Sequence, residues 1–242
     1  ICATLKARPH ACASENNLSP SRTNHTRCHG RFERILAKRG FKAVAGVDEA
    51  GRGAWFGPVF AAAVILDFNQ DWQGVRDSKQ LTPAQRETLA RRIEQQAAGW
   101  AVGHASAEEI DRLNIVGATC LAIQRAIRQL PLAPDFLLVD ALRLDVPIAQ
   151  RALIGGDARS LSIAAASILA KVHRDACLLE WDRLYPQFGL RRNKGYGTSE
   201  HQAALRRFGP TPQHRLTFAP VGSCLPAAQF LLHLSSASGG YG

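Results

Sequence analysis

The chain has 242 residues, 46% hydrophobic and 21% charged, enough for one large domain or two small ones around a sizeable core. Lys and Arg number 30 against 20 Asp and Glu, a formal net charge of +10, which favours a polyanionic partner such as nucleic acid. No apolar run reaches the ~20 residues that cross a bilayer, and cysteines 2, 12, 28, 120, 177 and 224 lack the C-x2-C spacing of a zinc or redox site, so the chain reads as a reduced, cytoplasmic protein without membrane association.

Residues 1–30 are rich in Pro, Ser, Asn and His without an apolar period and read as a disordered extension. They lack the continuous apolar core of a signal peptide. The chain contains no Met, which suggests a truncated or extended reading frame. Lys6, Arg8, Arg22 and Arg27 against Glu15 contribute +3 of the charge, leaving +7 on residues 31–242. The basic character therefore belongs to the part expected to fold.

"RFERILAKRG" predicts a short helix closed by Gly40. "KAVAGVD" and "GPVFAAAVILD" are strand-like runs joined by a Gly-rich turn, a β-hairpin. In "DSKQLTPAQRETLARRIEQQAA", Thr82 suits an N-cap, Pro83 the first helical position and Gln85 a capping box. Leu89, Ile93 and Ala97 then mark one helical face. "GWAVGHAS" predicts a third strand and "NIVGATCLAIQRAIRQL" an amphipathic helix ended by Pro131. "DFLLVDAL" and "VPIAQRALIGGD" predict two more strands, followed by a long helix, "LSIAAASILAKVHRDACLLEWDRLY", stopped by Pro186. A basic loop, a short helix and a return segment occupy 191–221, and residues 223–242 read as a frayed tail. This order implies a mixed sheet flanked by helices.

Acids recur where strands are predicted to end: Asp48 and Glu49, Asp140, and Asp157. Strand ends are where such a sheet gathers a site. For any one acid alone, helix capping or a salt bridge to Arg52, Arg143 or Lys171 is the commoner explanation. Four acids together in a basic protein suit Mg²⁺ or Mn²⁺, which prefer hard oxygen ligands. Two such ions can activate a water and stabilise the leaving oxygen of a phosphodiester displacement. Adjacent strand residues point to opposite faces, so Asp48 and Glu49 share a site only if the chain bends, and Ala50 and Gly51 would permit a bulge. Arg52 between Gly51 and Gly53 would supply charge to phosphate.

The segments "GVDEAGRGAWFGPVFAAAVIL", "DSKQLT", "LLVDAL", "GGDARSLSIAAASILAKVHRD" and "NKGYGTSEHQAALRRFGPTPQHRLTF" together resemble, in order, the motifs of ribonuclease HII over roughly residues 32–221. The resemblance implies an α/β ribonuclease H-like fold: a five-stranded mixed sheet flanked by helices, with a small helical C-terminal part, over residues 31–222. It implies a monomeric endonuclease of DNA replication and repair. Its substrates would be RNA–DNA hybrids and duplex DNA with embedded ribonucleotides, incised on the 5′ side to leave 3′-hydroxyl and 5′-phosphate ends. The cofactor would be Mn²⁺ or Mg²⁺, two ions during catalysis, held by Asp48, Glu49, Asp140 and Asp157.

The resemblance further implies that Gly51, Arg52, Gly53 and Tyr196 read the ribose, whose 2′-hydroxyl distinguishes RNA from DNA. Ser78, Lys79 and Lys194 would contact phosphates; for Arg191 and Arg192, phosphate contact and simple solvation stand about even. Asp175, inside the long helix, is assigned a structural role beside Arg174 or Lys171, and His104, His173, His201 and His214 are left structural. Two departures from the family pattern stand out: Ala54-Trp55-Phe56 after the Gly-Arg-Gly, expected to pack in the core or rim, and Gly155 where a Lys is common. A different polynucleotidyl transferase of the same fold, or a hybrid-binding module with decayed catalysis, are the rival readings. The first lacks the pairing of Gly-Arg-Gly with "KGYG", and the presence of all four acids argues against the second.

Overall fold

In the computed structural model, residues 30–225 are described. The expectations for residues 1–29 and for the tail beyond 225 lie outside them. The strands are β1 (Val44–Ala50), β2 (Val59–Ile65), β3 (Gly99–Ala105), β4 (Phe136–Asp140) and β5 (Ala149–Leu153). They form one sheet in the order β3-β2-β1-β4-β5. The β1–β2 hairpin and the β2–β3 pair are antiparallel, whereas β1–β4 and β4–β5 are parallel. The fold is thus the five-stranded mixed sheet expected from the sequence.

Helices cover both faces: α1 (Arg31–Lys38), α2 (Pro83–Gln96), α3 (Ala107–Arg128) and α4 (Leu161–Leu184), with α5 (Leu190–Asn193), α6 (Ser199–Phe208) and α7 (Ala219–Gly222) following. On one face Ala45, Val47, Ala61 and Ala63 meet Ile110, Ala118, Ala122 and Ala126 of α3. On the other, Ala62 and Val64 meet Ala165, Ile168 and Leu169 of α4, with Ala90 and Ile93 of α2 beside them. Every residue of β2 is buried because it is covered on both faces.

Small strand residues let the helices approach closely. A Cβ on Gly46 would lie 2.1 Å from the Ser162 backbone, and one on Gly103 would lie 2.3 Å from the Ala122 carbonyl oxygen. At Gly46 β1 touches the start of α4, so the strand bearing Asp48 and the helix following Asp157 meet backbone to backbone.

The α2 cap forms as the sequence predicts: Thr82 and Gln85 complete a capping box behind Pro83. Helix α3 differs. It starts seven residues before Asn114, on a second capping box between Ser106 and Glu109, and breaks at Asn114, whose φ is 58°. The Asn114 side-chain oxygen accepts from the Val116 and Gly117 amides, restarting the helix where the sequence placed its beginning.

A third core of Phe56, Leu178, Phe188, Leu190, Leu205 and Val221 ties the C-terminal helices to the β1–β2 turn. Trp55 N donates to the Gly195 carbonyl and Arg215 N to the Trp55 carbonyl, both at 2.8 Å. Phe56 pairs with His214 as an isolated bridge. The Ala54-Trp55-Phe56 departure is therefore the joint between the sheet and the C-terminal part. The indole lies so close to Gly197 that a Cβ there would fall 2.1 Å from it.

Candidate active site and metal centre

Parallel pairing of β1 with β4 sets the ends of these two strands side by side. Asp48 and Asp140 extend from them on the face covered by α4, and the turn after β5 returns Asp157 to the same place. One carboxylate oxygen from each of the three lies within 4.8 Å of the others. The Gly156 amide donates to Asp140 Oδ1 at 2.7 Å, and the Glu49 amide to Asp48 Oδ1 at 2.7 Å. Gly156 must be small here: a Cβ would lie 2.6 Å from Ile163 and 3.2 Å from Asp140 Oδ1.

Glu49 is not part of this trio. The β1–β2 ladder continues regularly through Asp48–Ala62, Glu49–Ala61 and Ala50–Phe60, and the chain turns only at Gly51, whose φ is 93°. The bend that Ala50 and Gly51 would permit comes at Gly51, and the ladder is still regular at the two acids, so Asp48 faces α4 and Glu49 lies on the side of Val47. Glu49 Oε1 accepts from Arg52 Nη1 at 3.2 Å, while its Oε2 is buried without a hydrogen bond.

Electrostatics mark the cluster as incomplete. Burial, followed by the charges of Glu49, Asp140 and Asp157, raises the Asp48 pKa well above the ordinary carboxylate range. Burial also raises Asp140, with Asp157 adding to it and the Gly156 amide opposing. Burial raises Glu49 despite Arg52. Lys79 lies 3.3 Å from Asp157 Oδ2, on a side chain 80% exposed. A set of hard oxygens held this close, with burial and mutual repulsion raising Asp48 and Asp140, fits a divalent cation of the Mg²⁺ or Mn²⁺ type.

The other predicted residues divide. Tyr196 is 40% exposed, and its ring edge lies 3.9 Å from where a Cβ on Gly53 would stand, so ring and glycine turn are neighbours. Lys194 adopts φ 54° and lies 3.9 Å from Asp175, which also pairs with Lys171 at 2.8 Å. Ser78, expected at phosphate, is buried, and its hydroxyl accepts from Ser167 at 2.7 Å. Arg191 is exposed, and Arg192 pairs with Glu200. Gly155 adopts φ 61° with nothing within 4 Å of a built Cβ, so the glycine eases the turn into Asp157.

Two arginines that the sequence reading left without a site role shape the turn. Arg174 and Arg215 are 1% and 0% exposed. Arg215 donates to the Arg52 carbonyl at 2.7 Å and to the Gly57 carbonyl at 3.0 Å. Arg174 reaches the Pro58 and Phe56 carbonyls, and its guanidinium carbon sits 5.5 Å from the centre of the Tyr196 ring. Its path explains Gly51, where a Cβ would lie 2.0 Å from Arg174 Nε. Burial, with Arg174 adding, pushes Arg215 down to about 9.

His201 and His214 form a buried relay. The Thr211 amide can only donate, so His214 Nδ1 accepts from it at 2.9 Å and carries its proton on Nε2. That nitrogen donates to His201 Nε2 at 3.2 Å, and His201 Nδ1–H donates to the Tyr196 carbonyl at 2.9 Å. Burial lowers both rings, His214 to about 3 with His201 adding, the direction that favours the neutral rings of the relay.

The family model described as ribonuclease HII matches residues 45–221. A ribonuclease HII of Solibacter usitatus is 54% identical over 195 residues, covering 81% of this chain and 86% of the relative. Among solved structures, ribonuclease H2 from Pyrococcus horikoshii superposes with a TM-score of 0.64 at 27% identity, covering 78% of this chain and 99% of that one. Bst ribonuclease HIII in complex with Mn²⁺ superposes with a TM-score of 0.61 at 21% identity, covering 75% and 68%, a likeness of fold.

Proposed function

The chain belongs to the ribonuclease HII family and is a nuclease, a phosphodiester hydrolase; from that premise we propose that it cleaves RNA in RNA–DNA hybrids and incises duplex DNA on the 5′ side of an embedded ribonucleotide, leaving 3′-hydroxyl and 5′-phosphate ends. The observation that carries this reading is the Asp48, Asp140 and Asp157 trio at the sheet end, with Tyr196 beside the Gly51–Gly53 turn.

Asp48, Asp140 and Asp157 would hold Mn²⁺ or Mg²⁺, with the charge of Glu49 beside them. When bound, two divalent ions lower the pKa of the attacking water and stabilise the departing 3′-oxygen. The Gly156 amide fixes the Asp140 carboxylate, which would orient it toward a bound cation. Lys79 neutralises Asp157 in the free protein and meets substrate phosphate in the complex. Arg52, aligned by Glu49 through its side chain and by Arg215 through its carbonyl, presents the glycine turn to the 2′-hydroxyl. Tyr196 stacks on the same sugar, backed by the Arg174 guanidinium.

Duplex DNA bearing one ribonucleotide, incubated with Mn²⁺, Mg²⁺ or EDTA, tests the reading. One cut 5′ to the ribonucleotide with metal, and none with EDTA, is the expected result; cutting indifferent to the ribonucleotide would refute it.

A further inference from the structure

Across the carboxylates from the Gly51–Gly53 turn lies a second cationic surface that the mechanism above does not use. The strand order puts the β1–β2 turn on one side of β1 and β4 and the edge strand β5 on the other. Arg151 of β5 and Arg159, just after Asp157, place their guanidinium carbons 5.2 and 5.4 Å from the centre of one ring, Phe32 of α1. Both arginines are exposed, and the ring is half-buried, packed on a core that includes Leu36, Leu138, Leu153 and Ile163.

Among the described residues neither arginine forms an ion pair. The neighbouring acid, Glu33, is turned inward, where its Oε1 accepts from the Ser160 and Ser162 hydroxyls and the Ser162 amide. Arg159 donates once, to the Ile154 carbonyl at 3.3 Å. Two like charges drawn to one ring repel, and the face of a phenyl ring offsets that only in part. A phosphate addressed by both guanidinium forks would complete the arrangement.

We propose that Phe32, Arg151 and Arg159 form an accessory platform for the phosphate backbone of the duplex beside the scissile position. The platform deepens the nuclease reading and rests on it. Two residues of chain span about 7 Å at most, so Arg159 stands within a few nucleotides of the Asp157 end of the site at about 3.4 Å of rise per nucleotide. Phe32 lies outside residues 45–221, the stretch matched by the family model, so the aromatic base of the platform is supplied by α1.

The test compares wild type with the Arg151→Gln/Arg159→Gln double variant on duplex DNA carrying one central ribonucleotide, over a range of salt concentrations. The platform predicts a KM raised about threefold to tenfold, a kcat at saturation within twofold of wild type, and a salt slope of log affinity reduced by about 2, close to 0.9 per phosphate released. Shortening the duplex on one side of the ribonucleotide should erase the difference, while shortening the other side should leave it. Wild-type KM and slope in the double variant would overturn the proposal. So would loss of binding to phosphatidylserine vesicles with duplex binding unchanged, which would make the surface a membrane contact. If the double variant melts early, each single variant decides, with a slope change of about 1. Equilibrium binding to the same duplex is read alongside cleavage: a wild type that binds but does not cut refutes the nuclease reading and leaves the platform standing.

Discussion

Asp48 shows at the scale of one residue how a site costs stability. Its carboxylate is buried beside three other acids, which favours the protonated form. A group whose folded pKa is raised binds protons more tightly folded than unfolded, so its penalty is full once the pH exceeds the raised value. The penalty is relieved as pH falls through the raised value toward the ordinary carboxylate range near 3.9. A divalent cation relieves the same penalty without a proton. Differential scanning fluorimetry should therefore show a larger rise in Tm with Mn²⁺ at pH 8 than at pH 5.5, and an equal rise at both would count against the assignment. In metal-free buffer at pH 8, Asp48→Asn should melt about 2–5 °C higher than wild type, since the charge removed was uncompensated. Asp48, Asp140 and Asp157 were legible only as a group: each alone reads as a cap or an ion pair, whereas several acids at predicted strand ends of a basic chain read as one site. The direction of Glu49 was not, because it depends on where the chain bends after the acids: the ladder stays regular through Ala61 and Ala62, and the turn comes only at Gly51.

Among elements, the contact that brings Asp157 against Asp48 is made by backbone rather than by large side chains. Gly46 lets α4 lie directly on β1, which fixes the turn holding Asp157 against the strand holding Asp48. Gly46→Ala should destabilise the fold by about 3 kcal/mol or more, the upper range for overpacking, because the obstacle is backbone and cannot rotate away; urea denaturation measures it. The strands, the hairpin and the Thr82 capping box were readable because local period and cap chemistry determine them. The first turns of α3 were not, because Asn114 breaks the helix and hides the Ser106–Glu109 box before it. The pairing of the Trp55–Phe56 segment with residues 195 and 213–215 was equally hidden, since contacts that distant in sequence leave no periodic trace. The histidine relay across that joint gives an expectation independent of activity. Two-dimensional ¹⁵N spectra should show His214 as the Nε2–H and His201 as the Nδ1–H tautomer at neutral pH. The opposite pair would contradict the donor assignment at Thr211.

For the whole molecule, the contrast between a positive chain and a negative pocket is the organising feature. A net charge of +10 suits a phosphodiester backbone, and the three clustered acids suit the divalent cations of the proposed cleavage. Charge and composition alone pointed only to a polyanion. It took the topology, β1 and β4 parallel with β5 returning to the same edge, to turn scattered acids into one site and to leave Arg151 and Arg159 on its far flank. Single-turnover cleavage by Asp48→Asn, on duplex DNA with one embedded ribonucleotide and saturating Mn²⁺, tests the central claim most directly. The account predicts a rate at least about a thousandfold below wild type, on the order of 4 kcal/mol of barrier, with duplex affinity unchanged within a few-fold. Cleavage at the wild-type rate would contradict it.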